Sequence, residues 1–284
     1  MQQFSSHFEY PLRLSGFVRS FMVAKDMAVV RMDEESRERL LKIRDIKFDD
    51  NGLLIGFTPL PGCVFGGTHT SDFNENFTFI SSNYILLAPD PTRAQDFNLC
   101  LKLLQDSASA IHIGYKLDGT TAITTIPSYF GKRASRIDIQ EISKIRKLIP
   151  IIERKRVEPK VALMTQIFLY ALSTRLRDES RFLELSVILE MLLLPKQEAE
   201  LAYRFSLRMA KLSNTLFSED TRVALQAARR IYNTRSKIVH TGSSKELDEA
   251  LPQAILYARR LFLAYLETPD LFTNESLDDL CVGA

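Results

Sequence analysis

The sequence predicts an α+β N-terminal domain followed by an all-α helical bundle. Three observations carry this expectation. Before residue 135 short β-rich runs alternate with turn signals, after it nearly every segment has helical period, and the helical segments are joined by short connections. A chain of 284 residues, 45% hydrophobic and 25% charged, is long enough for one large or two ordinary domains with a buried core.

In the first part, residues 17–23 and 27–32 read as strands separated by Lys25-Asp26. Residues 43–48 and 53–57 flank Asp49-Asp50-Asn51-Gly52, where Asn-Gly readily takes the positive φ of a tight hairpin turn. Residues 111–117 and 121–126 flank Asp118-Gly119-Thr120, a second expected hairpin. One helix interrupts the strands over 91–107, with Phe97, Leu101 and Leu104 along one face. The Gly- and Thr-rich stretch 59–73 reads as a loop.

A connecting helix opens at 137–147, and Pro150 is expected to end or kink it. Five helical segments follow, over 160–177, 179–194, 197–214, 219–240 and 247–267, and their short links favour an up-and-down bundle. Ser218 is the expected N-cap before Glu219 and Asp220, whose charges suit the positive end of a helix dipole. Pro252 implies that the last helix begins late or bends. The domains are thus 1–135, an α+β sensor or adaptor of unassigned role; 136–158, a connecting helix; 159–267, the bundle; and 268–284, a loose or docked tail.

The net charge of +2, from 37 basic and 35 acidic residues, does not advertise a nucleic-acid binder, so any basic surface must be local. The densest basic run is 144–156, which also describes a solvated helix face. Three distant cysteines, Cys63, Cys100 and Cys281, fit a reducing compartment. There is no basic n-region followed by an apolar run, and no apolar stretch of membrane-spanning length. The expected setting is cytoplasmic, with no membrane partner.

The most informative stretch is I-Y-N-T-R-S-K-I-V-H, residues 231–240, which puts Arg235 five positions before His240, with Ser236 directly after the arginine. On a helix Ser236 and His240 lie about 40° apart, whereas Arg235 lies about 140° from His240, a gap that a long side chain or a loosened last turn must close. Gly242 is a natural helix terminator, which puts His240 in the final turn, where the dipole favours an imidazolium. Taken alone, this spacing also describes a solvated arginine beside a capping histidine.

The preceding helices add polar groups. Residues 180–194 are mostly apolar yet carry Glu184 and Glu190, and the next segment carries Glu200, with Arg204 and Arg208 four apart. A half-buried glutamate needs a partner, so Glu190 or Glu200 is expected to pair with Arg204 or Arg208. Such pairs are commonly architectural.

The ordered set of Leu189-Glu190, then E-x-x-Y-R-F-S-x-R-x-A from Glu200 to Ala210, then I-Y-N-T-R-S-K-I-V-H, resembles the ApeA-like branch of the HEPN superfamily over residues 160–266. This resemblance implies a HEPN-type helical bundle and a metal-independent endoribonuclease of a defence, toxin or stress-response system. It implies Arg235 and His240 as catalytic residues and Ser236 as the supporting polar residue; beside them Tyr232 and Lys237 are expected as RNA contacts. Ser236 stands where the family's best-studied nucleases often carry Asn, Asp or His, and Thr241 precedes Gly242 where a glycine commonly follows the histidine directly.

The chemistry expected of such a site is attack by a ribose 2′-OH, with Arg235 holding the phosphorane charge and an acid protonating the 5′ leaving oxygen. The products carry 2′,3′-cyclic phosphates. One histidine per chain does not easily stand on both sides of a phosphate, so a homodimer through the helical domain, forming a composite site, is expected. The alternative is a catalytically silent HEPN scaffold that dimerises and binds RNA or a protein partner. An antitoxin-like component or nucleotidyl-transfer partner is a further class that the resemblance brings in.

Other motifs carry less. Gly114 to Thr121 has P-loop glycine spacing, but Thr120 stands where the lysine belongs. His69 has no second ligand at metal spacing, Cys63 has no catalytic context, and neither a cofactor nor a metal is expected. Phe73, Phe77, Phe79 and Tyr84 suit a sheet core better than a stacking surface for RNA.

Overall fold

A computed structural model describes residues 7–12, 14–15, 20–43, 47–48, 54–56, 83–105, 113–115, 121–123, 135–172, 176–195 and 199–282. The chain divides into two compact units, residues 1–101 with 105–150, and residues 102–104 with 151–284.

The first unit is built on an antiparallel sheet. Its strands are β1 (Phe8–Leu12), β3 (Phe21–Ala24), β4 (Met27–Arg31), β7 (Tyr84–Ala88), β8 (Ile113–Tyr115) and β9 (Thr121–Ile123), in the order β3-β4-β7-β1-β8-β9. Strand β7 lies between β4 and β1, with Leu86 opposite both Val29 and Tyr10. Tyr84, Ile85, Leu86 and Ala88 are all buried, so apolar side chains are covered on both faces of this strand. Two short pairs complete the strands: β2 (Leu14–Ser15) with β10 (Ser135–Arg136), and β5 (Lys47–Phe48) with β6 (Leu54–Gly56).

The hairpin expected at 43–57 is present as the antiparallel β5–β6 pair, and that at 111–126 as β8–β9; both turns lie outside the described residues. So do the 59–73 stretch, Cys63, His69, Phe73, Phe77 and Phe79. Gly114 and Thr121, the ends of the P-loop-like spacing, sit on facing strands of the second hairpin.

Two helices belong to this unit's order of elements. Helix α1 (Glu34–Ile43) is opened by Asp33, whose carboxylate accepts from the Ser36 amide at 2.8 Å. Helix α2 (Pro91–Leu104) has Pro91 in its first turn and Asp90 as N-cap, accepting from the Arg93 amide at 3.0 Å. Phe97 and Leu101 on α2 are buried, and Arg93 reaches Asp26 in the β3–β4 turn at 2.8 Å.

Helix α3 (Ile139–Lys155) runs through Pro150 rather than ending there. Ile142, Ile145, Leu148, Ile149 and Ile152 form one buried stripe on both sides of the proline, and that burial offsets the roughly 3 kcal/mol an interior proline costs.

The second unit holds α4 (Pro159–Ala171), α5 (Asp178–Leu193), α6 (Leu201–Phe217), α7 (Thr221–Thr241) and α8 (Leu247–Glu267), then a 3-10 turn (Pro269–Phe272) and α9 (Asn274–Val282). The most extensive packings are α6 on α7 and α5 on α8. Helix α5 also touches α4, α6 and α7, which is why Phe182, Leu185, Ile188, Leu189, Leu192 and Leu193 are all buried.

Helix ends differ from expectation for local reasons. Helix α4 stops at Ala171, not 177, where the buried Arg181 guanidinium donates to the Ala171 carbonyl at 2.9 Å. Glu200 and Ser218 take left-handed backbone, which fixes α6 between them. Ser218 therefore terminates α6 and does not cap α7. The N-cap of α7 is Asp220, accepting from the Arg222 and Val223 amides at 2.8 and 3.1 Å. Helix α8 begins at Leu247, ahead of Pro252. The tail is helical and docked, not loose: α9 packs on α6 through Asp278.

Candidate functional site

Helix α7 carries the arginine and the histidine on different sides, and its amphipathic pattern explains why. Ala224, Ala227, Ala228, Ile231, Thr234 and Ile238 are buried, and helical geometry centres this stripe almost opposite His240. His240 is accordingly exposed in the last turn. Arg235 lies at the edge of the buried stripe, about 40° from Ile231. There its half-buried guanidinium meets the Glu190 carboxylate of α5 at 3.1 Å.

The last turn of α7 is not loosened. The Gly242 amide donates to the Ile238 carbonyl at 2.8 Å, and Gly242 itself adopts φ 80°. The helix thus runs one residue past His240. The Thr241 hydroxyl lies 2.8 Å from the Lys237 carbonyl and 2.9 Å from that of Ser243, helping to satisfy the helix end.

Ser236 is half-buried, one turn before His240 on the same side. Lys237 is occupied: its ammonium contacts Glu246 at 2.8 Å, and this hydrogen bond holds the Glu246 carboxyl below its ordinary range. The half-buried ring of Tyr232 packs on Phe205 with centroids 5.5 Å apart.

The polar pairs are arranged differently from expectation. Glu200 does meet Arg204, at 3.6 Å. Glu190 pairs with Arg235 instead, because α5 packs on α7 as well as on α6. Burial pushes the Glu190 carboxyl above its ordinary value, opposed by the attraction of Arg235. Arg208 is fully buried and reaches Asp278 at 2.7 Å, Asn274 at 2.6 Å and the Leu193 carbonyl at 2.8 Å. Arg204 also contacts Asp278, at 3.1 Å. The hydrogen bond from Arg208 is the main cause that holds the Asp278 carboxyl below its ordinary range. Arg204 and Arg208 therefore tie α6 to α9, Glu200 meets Arg204 at the start of α6, and Glu190 belongs with Arg235.

A shallow groove of about 290 Å³ lies between α6 and α7, lined by Tyr203, Leu207, Leu225, Arg229, Tyr232 and Asn233 among others. Sequence reasoning singled out Tyr232 but not Arg229 or Asn233. Helical spacing was the available signal, since positions 229, 233, 236 and 240 fall within an arc of about 60°.

Within one chain, then, α7 presents an exposed imidazole at its end and a guanidinium turned toward α5. Together they offer a proton-transfer group and a phosphate-binding cation, on two sides of one helix. Comparison with family models, with curated proteins and with solved structures gave no match.

Proposed function

We propose that this chain is a metal-independent endoribonuclease of HEPN type, cutting RNA by 2′-OH attack at a composite site made by two copies. The observation that carries the reading is α7 itself: His240 exposed in its last turn, with Arg235 five residues earlier. His240 supplies proton transfer and Arg235 the charge that steadies the phosphorane. Ser236 stands on the histidine's side as a supporting hydroxyl. Because Arg235 and His240 diverge by about 140° on a regular helix, the histidine of one copy working with the arginine of another is the simpler assembly. No helix among the described residues is long and apolar enough to cross a membrane, in keeping with a dissolved substrate.

A second reading is favoured by the Glu190–Arg235 pair, which occupies the guanidinium. On that reading the bundle is a silent scaffold that dimerises and binds RNA or a protein partner. The test is incubation of the purified chain with labelled single-stranded RNA in EDTA. Cleavage leaving 2′,3′-cyclic phosphates, abolished by His240→Ala and by Arg235→Ala, is the expected result. Cleavage that survives His240→Ala contradicts the assignment, and binding without cleavage by the wild type favours the scaffold.

A further inference from the structure

The groove between α6 and α7 has a composition that selects among ligands. Its walls are apolar at Leu207 and Leu225, two tyrosine rings stand at its sides, and Arg229 and Asn233 supply donors. No carboxylate stands among the described residues that line it, and Arg229 there attracts an anion. Tyr203 is 63% exposed, so much of its ring is open to a ligand. Tyr232 is braced from behind by Phe205, which holds its ring in place. A volume of about 290 Å³ is at the low end for a small-ligand site and suits one flat group.

The groove also has a direction. Arg229, Asn233, Ser236 and His240 occupy one narrow strip of α7, opposite its buried stripe, and all but the half-buried Ser236 are exposed. From Arg229 to His240 the strip is about 16 Å long at the helical rise. The groove takes in Arg229 and Asn233, and Ser236 and His240 continue the same strip beyond it.

We infer that this groove is a base-and-phosphate subsite for single-stranded RNA. Tyr203 and Tyr232 offer faces for an unstacked base, Asn233 an amide for its edge, and Arg229 a fork for the adjoining phosphate. The strand then continues past Ser236 to His240. This deepens the ribonuclease proposal and rests on its reading of RNA as the substrate.

The test uses the full chain carrying His240→Ala, so that the probe is not consumed, and a fluorescent single-stranded oligoribonucleotide whose anisotropy is followed at several salt concentrations. Adding Tyr203→Ala is expected to weaken binding about tenfold, while Tyr203→Phe, which keeps the ring, restores it. Adding Arg229→Ala weakens binding and lowers the salt slope by roughly 0.7, the loss of one phosphate contact. Failure of the His240→Ala chain to bind the probe overturns the subsite. So does unchanged affinity in both variants, which leaves the ribonuclease reading standing. Loss of binding that follows a fall in molecular mass on Tyr203→Ala also overturns it, since the groove is then an interface between protein chains. The expected losses in a wild-type chain that binds but does not cut uphold the subsite and remove the nuclease.

Discussion

Glu190 and Arg235 form an ion pair between α5 and α7. Its carboxyl is pushed above the ordinary value of 4.5 chiefly by burial, with Arg235 pulling the other way. A raised carboxyl means that the folded chain holds the proton more readily than the unfolded one. The stabilising contribution is therefore complete below about pH 4.5 and is lost as the pH rises through the higher folded value. Glu190→Gln cannot ionise and keeps an acceptor for Arg235, so it should melt at or above the wild-type temperature at pH 8, with the advantage vanishing at pH 4. Thermal melts of both proteins at the two pH values check this, and a variant less stable at pH 8 than at pH 4, relative to wild type, counts against it. The need of Glu190 for a cationic partner was legible from its place in an apolar helix. Which arginine answers it was not, because sequence shows adjacency along the chain and α5 touches three neighbours besides α4.

Helix α9 is held to α6 by Asp278, which meets both Arg204 and Arg208, and by Asn274 on Arg208. Arg208 is fully buried and its charge is answered by Asp278, which is itself partly exposed. Asp278→Ala leaves that guanidinium with neutral acceptors and should cost about 1–3 kcal/mol, read as a lower urea midpoint and earlier proteolytic release of the C-terminal helix. Asp278→Asn, which keeps an acceptor, should cost less. The sign of the pH effect follows the lowered carboxyl: the contribution is present above 3.8 and is lost as the pH falls through the lower folded value. At the end of α7, Gly242 takes φ 80° with open space around it, so Gly242→Ala should cost about 1–2 kcal/mol through backbone strain alone.

Among elements, the long helices were legible because each carries an apolar stripe with a punctuating break. Strands β1 and β7 were not, though they are central. Pro11 argues against a central strand, yet it takes its place in β1 opposite Ile85 of β7. Strand β7 reads Y-I-L-L-A, a short apolar run without alternation, because both its faces are buried. Helix α1 carries few apolar residues, and its only early signal was Asp33 ahead of two glutamates.

In the whole molecule the candidate chemistry sits in the helical unit. The sheet unit contributes no candidate catalytic group among its described residues. One regular helix sets Arg235 and His240 on different sides, as the spacing of the motif already implies, and its last turn does not loosen to close the gap. The proposed site is accordingly one made by two copies. The direct measurement is the rate of RNA cleavage per chain in EDTA across a dilution series, taken with the molecular mass at each concentration. The rate per chain should fall together with the fraction of dimer. A rate per chain that stays constant once the protein is monomeric contradicts the account.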